Sequence, residues 1–317
     1  MKLGIIGCGH IANFHLPAMK KVGFKISAIA GRPGGFVTVK KFAEKFNVKK
    51  TFENPYDLIK SNDWDALLIC CPVKNTVEYL NIAARYKKPI LTEKPISSDY
   101  KDLEHLIKYK NIRVAFNRRF YNNADRARKF LIKNKCSLIK VSIPESSGKK
   151  NIDFPKKLPL NSYINSVHIF DLINHLAGEV KWQHIHQIKN KKDFISILAI
   201  GTSKKNHHIL LDNSYNSSEN FSINIVSSAQ RLELSPIEIA SFYQGMHITE
   251  PTSQMPLRVY RPILKKQYIE DGNSNYKPGF YNQAKDFMSF CKGKISKSAT
   301  VKETYSTLKV IQMLAED

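Results

Sequence analysis

The first dozen residues restrict this chain's fold more than any other stretch. Lys2–Ile6 is a short apolar run that enters Gly7-Cys8-Gly9-His10-Ile11-Ala12, and a helical pattern carried by Phe14, Leu16, Ala18 and Met19 follows. Strand, glycine turn and helix in that order make Gly-x-Gly-x-x-Ala, the alanine-ended variant of the dinucleotide fingerprint. Gly7 permits the tight turn, Gly9 lets the backbone approach a pyrophosphate, and Ala12 keeps the helix close to the sheet. His10, Ile11 and Ala12 stand at the helix N-terminus, where free N–H groups meet phosphates. A purely structural glycine turn is the competing reading.

Beyond this turn, strand and helix alternate, which predicts an α/β fold with a doubly wound parallel sheet. A second strand over Phe24–Ala30 ends at Gly31-Arg32. An acid at this point would take the ribose 2′-OH of NAD. Gly31 and Arg32 stand there instead, and a guanidinium accepts a 2′-phosphate bidentately, so NADP is the expected cofactor with NAD as the alternative. Arg32 could also be a turn residue facing water. Helical spacing covers Phe36–Phe46, and a buried strand over Asp65–Pro72 brings Cys71 and Pro72 to the same crevice. A helix over Thr76–Tyr86 and a strand over Pro89–Thr92 then reach Glu93-Lys94-Pro95.

At 317 residues the chain exceeds one core, so two domains are expected, at 1–120 and 121–317. No stretch reaches the roughly 20 apolar residues of a membrane span, and no signal peptide is visible, so a cytoplasmic protein is expected. The five cysteines show no metal-ligand spacing and read as reduced structural thiols, with no metal. The formal charge of +23 comes mostly from scattered lysine doublets. That pattern reads as a solvated surface rather than a nucleic-acid site, and it also suits an anionic cofactor and substrate.

With Glu93-Lys94-Pro95 on the page, the chain resembles the Gfo/Idh/MocA oxidoreductases. The match is carried by Gly7-x-Gly9-x-x-Ala12, by Glu93 to Pro95, by Asn117-Arg118-Arg119-Phe120, and by Asn165-Ser166-Val167-His168-Ile169-Phe170-Asp171-Leu172. The resemblance implies a Rossmann domain followed by an α+β domain with an open, largely antiparallel sheet that makes homodimers or homotetramers. It implies hydride exchange between a nicotinamide and a carbinol or ketone of a sugar, cyclitol or sugar nucleotide. Lys94 would lie beside the reacting hydroxyl and His168 would transfer its proton. Glu93, Lys94, Asn117 and Arg119 would complete the cofactor side. Tyr163, Asn165, Arg119, Lys94 and His168 would face the substrate.

Three positions depart from the family pattern. Ile164 stands where an acid usually completes the lysine–histidine set, Ser166 replaces a glycine, and Thr76 replaces a histidine. Loss of the acid leaves two alternatives, an enzyme with a modified polar set and a cofactor-binding regulator without turnover.

In the C-terminal half, a helix over Asn123–Lys133 leads to a strand over Leu138–Pro144. Strands at Val180–Ile188, Asp193–Gly201, His207–Asn213, Phe221–Val226 and Arg231–Leu234 read as a meander. His175 lies two helical turns beyond His168, and His184, His186, His207 and His208 read as polar strand faces. The loop over Glu145–Leu160 is a candidate substrate lid. Glu250–Pro262 reads as irregular and arginine-bearing, and with Tyr276–Phe280 could border the pocket and hold an anionic group such as a sugar-nucleotide phosphate. Helices over Phe280–Cys291 and Val301–Leu314 are expected to pack on the second domain.

Overall fold

The computed structural model describes residues 1–32, 34–145, 162–189, 194–215, 217–270 and 275–314. In chain order the first half runs β1 (Lys2–Ile6), α1 (Ala12–Lys21), β2 (Lys25–Ala30), α2 (Phe36–Phe46), β3 (Lys50–Phe52) and α3 (Pro55–Ser61). It continues with β4 (Ala66–Ile69), α4 (Val73–Ala83), β5 (Ile90–Thr92), a 3-10 turn at Tyr100–Leu106, β6 (Ile112–Val114) and a second 3-10 turn at Asn117–Phe120. The second half holds α5 (Asn122–Lys133), β7 (Cys136–Ser142), a π turn at Ser162–Ser166 and α6 (Val167–Ala177). Seven strands follow: β8 (Val180–Lys189), β9 (Phe194–Ser203), β10 (His208–Ser214), β11 (Ser222–Ser227), β12 (Gln230–Leu234), β13 (Ile239–Thr249) and β14 (Val259–Ile269). Helices α7 (Phe280–Cys291) and α8 (Val301–Met313) close the chain.

Two compact units result. The first comprises Met1–Phe120 with the described residues of 149–171 and 272–317. Its sheet has the order β3-β2-β1-β4-β5-β6 with every neighbouring pair parallel. Every residue of β4 is buried, and β1 is buried from Leu3 to Ile6, because strands covered on both faces need continuous apolar runs. The strand order reverses between β1 and β4, and ligands of such sheets bind beyond the carboxyl ends of the strands at that reversal.

Both C-terminal helices belong to this first unit, which corrects the expectation that they cover the second sheet. Phe280, Ala284, Phe287 and Met288 of α7 join the core formed by α1, β1 and β2. Phe287 stacks on Phe24 with ring centroids 5.7 Å apart. Ala299, just before α8, bridges Val114 of β6, and Gln312 of α8 donates to the Ser98 carbonyl at 2.8 Å. A reciprocal capping box between Thr300 and Glu303 starts α8.

The second unit comprises Leu172–Asp271 and the described residues of 121–148, the division falling after Asp171 within α6. Its eight strands run β14-β13-β12-β11-β7-β10-β9-β8. The sheet is antiparallel except where β7 lies parallel beside β10. The expected meander is therefore interrupted, since β7 enters between β10 and β11. One face is buried through Ile139, Val141, Ile209, Leu211, Ile223, Ile225, Leu232 and Leu234. Glu270 accepts the backbone N–H groups of Asn122 and Asn123 at 3.0 and 2.8 Å, placing a negative charge at the start of α5.

The stretch expected to be irregular holds a strand. Val259–Ile269 pairs with β13, with Pro262 opposite Met246. β14 is an edge strand of the sheet, and an edge tolerates a proline that a central position would reject. The candidate lid lies, from residue 146 on, outside the described residues. No helix among the described residues is long and apolar enough to cross a membrane.

Candidate active site

The fingerprint forms the turn its residues demand. Gly7 has φ +103°, and its N–H donates to the Ala30 carbonyl at 2.8 Å. A Cβ there would lie 2.4 Å from the Cys70 carbonyl oxygen, so only glycine fits. A Cβ on Gly9 would meet nothing within 4 Å, so this backbone borders open space. Ala12 is fully buried as the first residue of α1, while Ile11 at the N-cap brings no capping side chain to the helix N–H groups. His10 is exposed and meets Phe14 edge-on at 5.0 Å. Burial pushes the Cys8 thiol up to about 11, so it stays protonated near neutrality.

At the end of β2, Gly31 is buried, and a Cβ there would lie 2.3 Å from Val39 Cγ2 of α2. An acidic side chain at position 31 would therefore displace α2. Arg32 is exposed, its carbonyl accepts the Gly35 N–H at 2.9 Å, and Gly35 is the N-cap of α2. Beyond β4, Cys71 Sγ lies 3.4 Å from Thr76 Oγ1, and Pro72 is the N-cap of α4.

The end of β5 carries Glu93 and Lys94. The Glu93 N–H donates to the Ile69 carbonyl at 2.8 Å. One carboxylate oxygen of Glu93 pairs with buried His15 of α1 at 2.6 Å, and the other accepts the Lys94 backbone N–H at 3.1 Å. Glu93 thus ties the strand end to the fingerprint helix and fixes the backbone from which Lys94 projects. The Lys94 ammonium donates to the Ile164 carbonyl at 2.6 Å. A backbone carbonyl in the π turn thus meets the lysine at the position whose side chain had lost the acid. This turn also carries Tyr163, which is buried, and Asn165, which is half-buried.

His168 follows in the first turn of α6. It is buried, its ring meets Phe116 edge-on at 5.8 Å, and its Nδ1 has no hydrogen-bond partner among the described residues. Burial first, then the charges of Lys94, Arg118 and Lys277, hold this imidazole well below the usual histidine range. It is neutral around pH 7 and able to accept a proton.

Two expected pocket residues are engaged elsewhere. Arg119 is buried with its guanidinium held bidentately by Asp171 at 2.7 and 2.7 Å, and its Nη1 donates to Glu303 at 3.0 Å. Burial alone would lower the Arg119 pKa, and the Asp171 and Glu303 carboxylates reverse this and keep it charged. Arg119 therefore ties the start of α6 to the segment after β6 and to α8. Asn117 is also buried, with its side-chain amide donating to the Pro278 carbonyl at 3.0 Å. Sequence reasoning had not singled out His15 or Phe116, and it met Asp171 only as part of the 165–172 motif. Asp171 sits three residues beyond His168, but no local pattern announces an arginine partner 52 residues away.

Residues 1–115 match a family described as an oxidoreductase family with an NAD-binding Rossmann fold, the Gfo/Idh/MocA group. The N-terminal third of the chain is thus similar to the Gfo/Idh/MocA oxidoreductases. A 132-residue stretch is 28% identical to the myo-inositol 2-dehydrogenase of Thermotoga maritima, covering 39% of this chain and 38% of that protein. A 108-residue stretch is 32% identical to the dTDP-3,4-didehydro-2,6-dideoxy-alpha-D-glucose 3-reductase of Actinomadura kijaniata, covering 33% and 32%. The chain thus matches about a third of the length of these relatives. The crystal structure of a dehydrogenase from Clostridium difficile shares the fold across 99% of this chain and 98% of its own, with TM-score 0.77 and 17% identity.

Proposed function

We propose that this chain is a Gfo/Idh/MocA oxidoreductase, an NADP(H)-preferring dehydrogenase or reductase acting on a carbinol or ketone of a sugar, cyclitol or sugar nucleotide. The observation that carries the reading is the placement of an ammonium and a neutral imidazole in the same unit as the glycine cradle. Lys94 is held on the turn that precedes His168, and Glu93 couples Lys94 to α1 through His15. The cradle fits a dinucleotide, because Gly7 excludes any side chain and Gly9 leaves its backbone open. The names of the two curated relatives support a polyol or sugar-nucleotide substrate.

When bound, the nicotinamide would supply or accept a hydride. Lys94 would hold the substrate oxygen and stabilise the alkoxide that develops there. His168, neutral, would take the hydroxyl proton during oxidation and return it to the oxygen during reduction. Tyr163 and Asn165, on the turn between these two groups, would contact the substrate. The outward face of the second sheet exposes Leu198, Ile200 and Leu210 on adjacent strands, and through it the chain would form dimers or tetramers.

The preference for NADP rests on the end of β2. Gly31 leaves no room for a carboxylate, Arg32 is exposed, and Gly35 starts α2 without a capping side chain. A 2′-phosphate at this corner would meet a guanidinium and free helix N–H groups. Arg32→Ala should weaken NADPH binding roughly 10- to 100-fold, as expected for a charged hydrogen bond, while NADH affinity changes less than about twofold. Fluorescence titration of both nucleotides checks this, and an equal loss for the two would remove the 2′-phosphate contact.

A further inference from the structure

We infer that Val39 of α2 is a specificity-determining residue for the cofactor, because it closes the end of β2 to the carboxylate that NAD would need. The inference rests on the NADP reading above and assigns its cause to a side chain outside Gly31-Arg32.

The backbone at position 31 does not itself demand glycine. Gly7 holds φ at +103°, whereas Gly31 lies outside the left-handed region that favours glycine. A side chain is therefore allowed there by conformation, and what forbids it is the space beyond Cα. A Cβ on Gly31 would overlap Val39 Cγ2, with Val39 Cβ 3.8 Å and Cys8 Sγ 4.0 Å from the same point. The obstructing methyl has little freedom to swing aside. Valine is branched at Cβ, and inside a helix such a side chain keeps one strongly preferred χ1. The helix has little freedom to retreat either. Val39 is buried with Phe42, Ala43 and Phe46 on one face of α2, and all four belong to the same core as Ile29 of β2.

An acid at this strand end would take the ribose 2′-OH of NAD. With Val39 in place the corner presents backbone and the exposed Arg32, which suit a 2′-phosphate. Positions 31 and 39 therefore act as a pair. An acid at 31 becomes compatible with the fold only when the side chain at 39 loses its Cγ atoms. The rival role for Val39 is core filling alone, in which case the carboxylate of Gly31→Asp would turn clear of α2 unaided.

The test is calorimetric titration of NADPH and NADH into the full unmutated chain, Gly31→Asp, and Gly31→Asp combined with Val39→Ala, each checked for folding by circular dichroism. Gly31→Asp alone should gain less than about twofold in NADH affinity. The double variant should bind NADH about tenfold or more tightly than the unmutated chain does, the gain expected from a hydrogen bond to a charged group. It should also bind NADPH more weakly than NADH, since the carboxylate repels a 2′-phosphate. An alanine cycle reads the packing without nucleotide. Gly31→Ala should lower the urea midpoint when Val39 is present, and should leave it unchanged or raise it in the Val39→Ala background. A folded Gly31→Asp that prefers NADH by itself would overturn the inference, as would a folded double variant that still prefers NADPH. If neither aspartate variant folds, the alanine cycle decides, and an equal loss in both backgrounds overturns the inference. An unmutated chain without preference for NADPH would instead overturn the NADP reading on which the inference rests.

Discussion

Lys94→Ala is expected to lower kcat by about 10³-fold, the loss that follows removal of a group stabilising charge that develops in the transition state. The Lys94 ammonium is already oriented by the Ile164 carbonyl, so a substrate oxygen meets a donor with little reorganisation left to make. NADPH affinity should change by less than about threefold, because the phosphate cradle around Gly7 and Gly9 is untouched. Steady-state kinetics combined with nucleotide titration reads both quantities. Undiminished kcat would remove Lys94 from the chemistry. An affinity loss matching the loss of kcat/KM would make it a cofactor ligand instead.

The second large effect falls on stability. Asp171→Ala should destabilise the first unit by roughly 3–5 kcal/mol, because it strands the Arg119 guanidinium in the interior. Arg119 and Asp171 are each at most 2% exposed as side chains, whereas the remaining partner Glu303 is 44% exposed and cannot replace a bidentate buried carboxylate. The double variant Arg119→Met with Asp171→Leu should lose less than Asp171→Ala alone, since no charge is then left unpaired. Urea unfolding of the variants checks the order. If Asp171→Ala proved as stable as the parent while turnover vanished, Asp171 and Arg119 would belong to the chemistry rather than to the scaffold.

The first sheet was largely legible because its strands are short, buried runs separated by helical periodicity, and a strand covered on both faces has little freedom of composition. Lys94 and His168 were legible as candidates because each sits in a motif at a strand end or helix start. The destination of α7 and α8 was not legible. Their amphipathic pattern says that one face is buried but does not say against which sheet, and Phe287 found Phe24 across most of the chain. β14 was hidden by Pro262, whose breaking effect is relieved at an edge.

The limits at the site have the same cause. The residue type at position 164 suggested a lost partner for Lys94, yet the partner is a backbone carbonyl that every residue type supplies. Arg119 was placed in the pocket from its motif, and only tertiary structure shows Asp171 and Glu303 holding it.

Calorimetric titration of the intact, folded chain with NADPH and with NADH tests most directly whether the cradle at residues 7–12 holds a pyridine nucleotide. Saturable heat for one NADPH per chain, with weaker binding of NADH, is the expected result. No saturable heat from either nucleotide, in protein whose circular dichroism shows it folded, would contradict it.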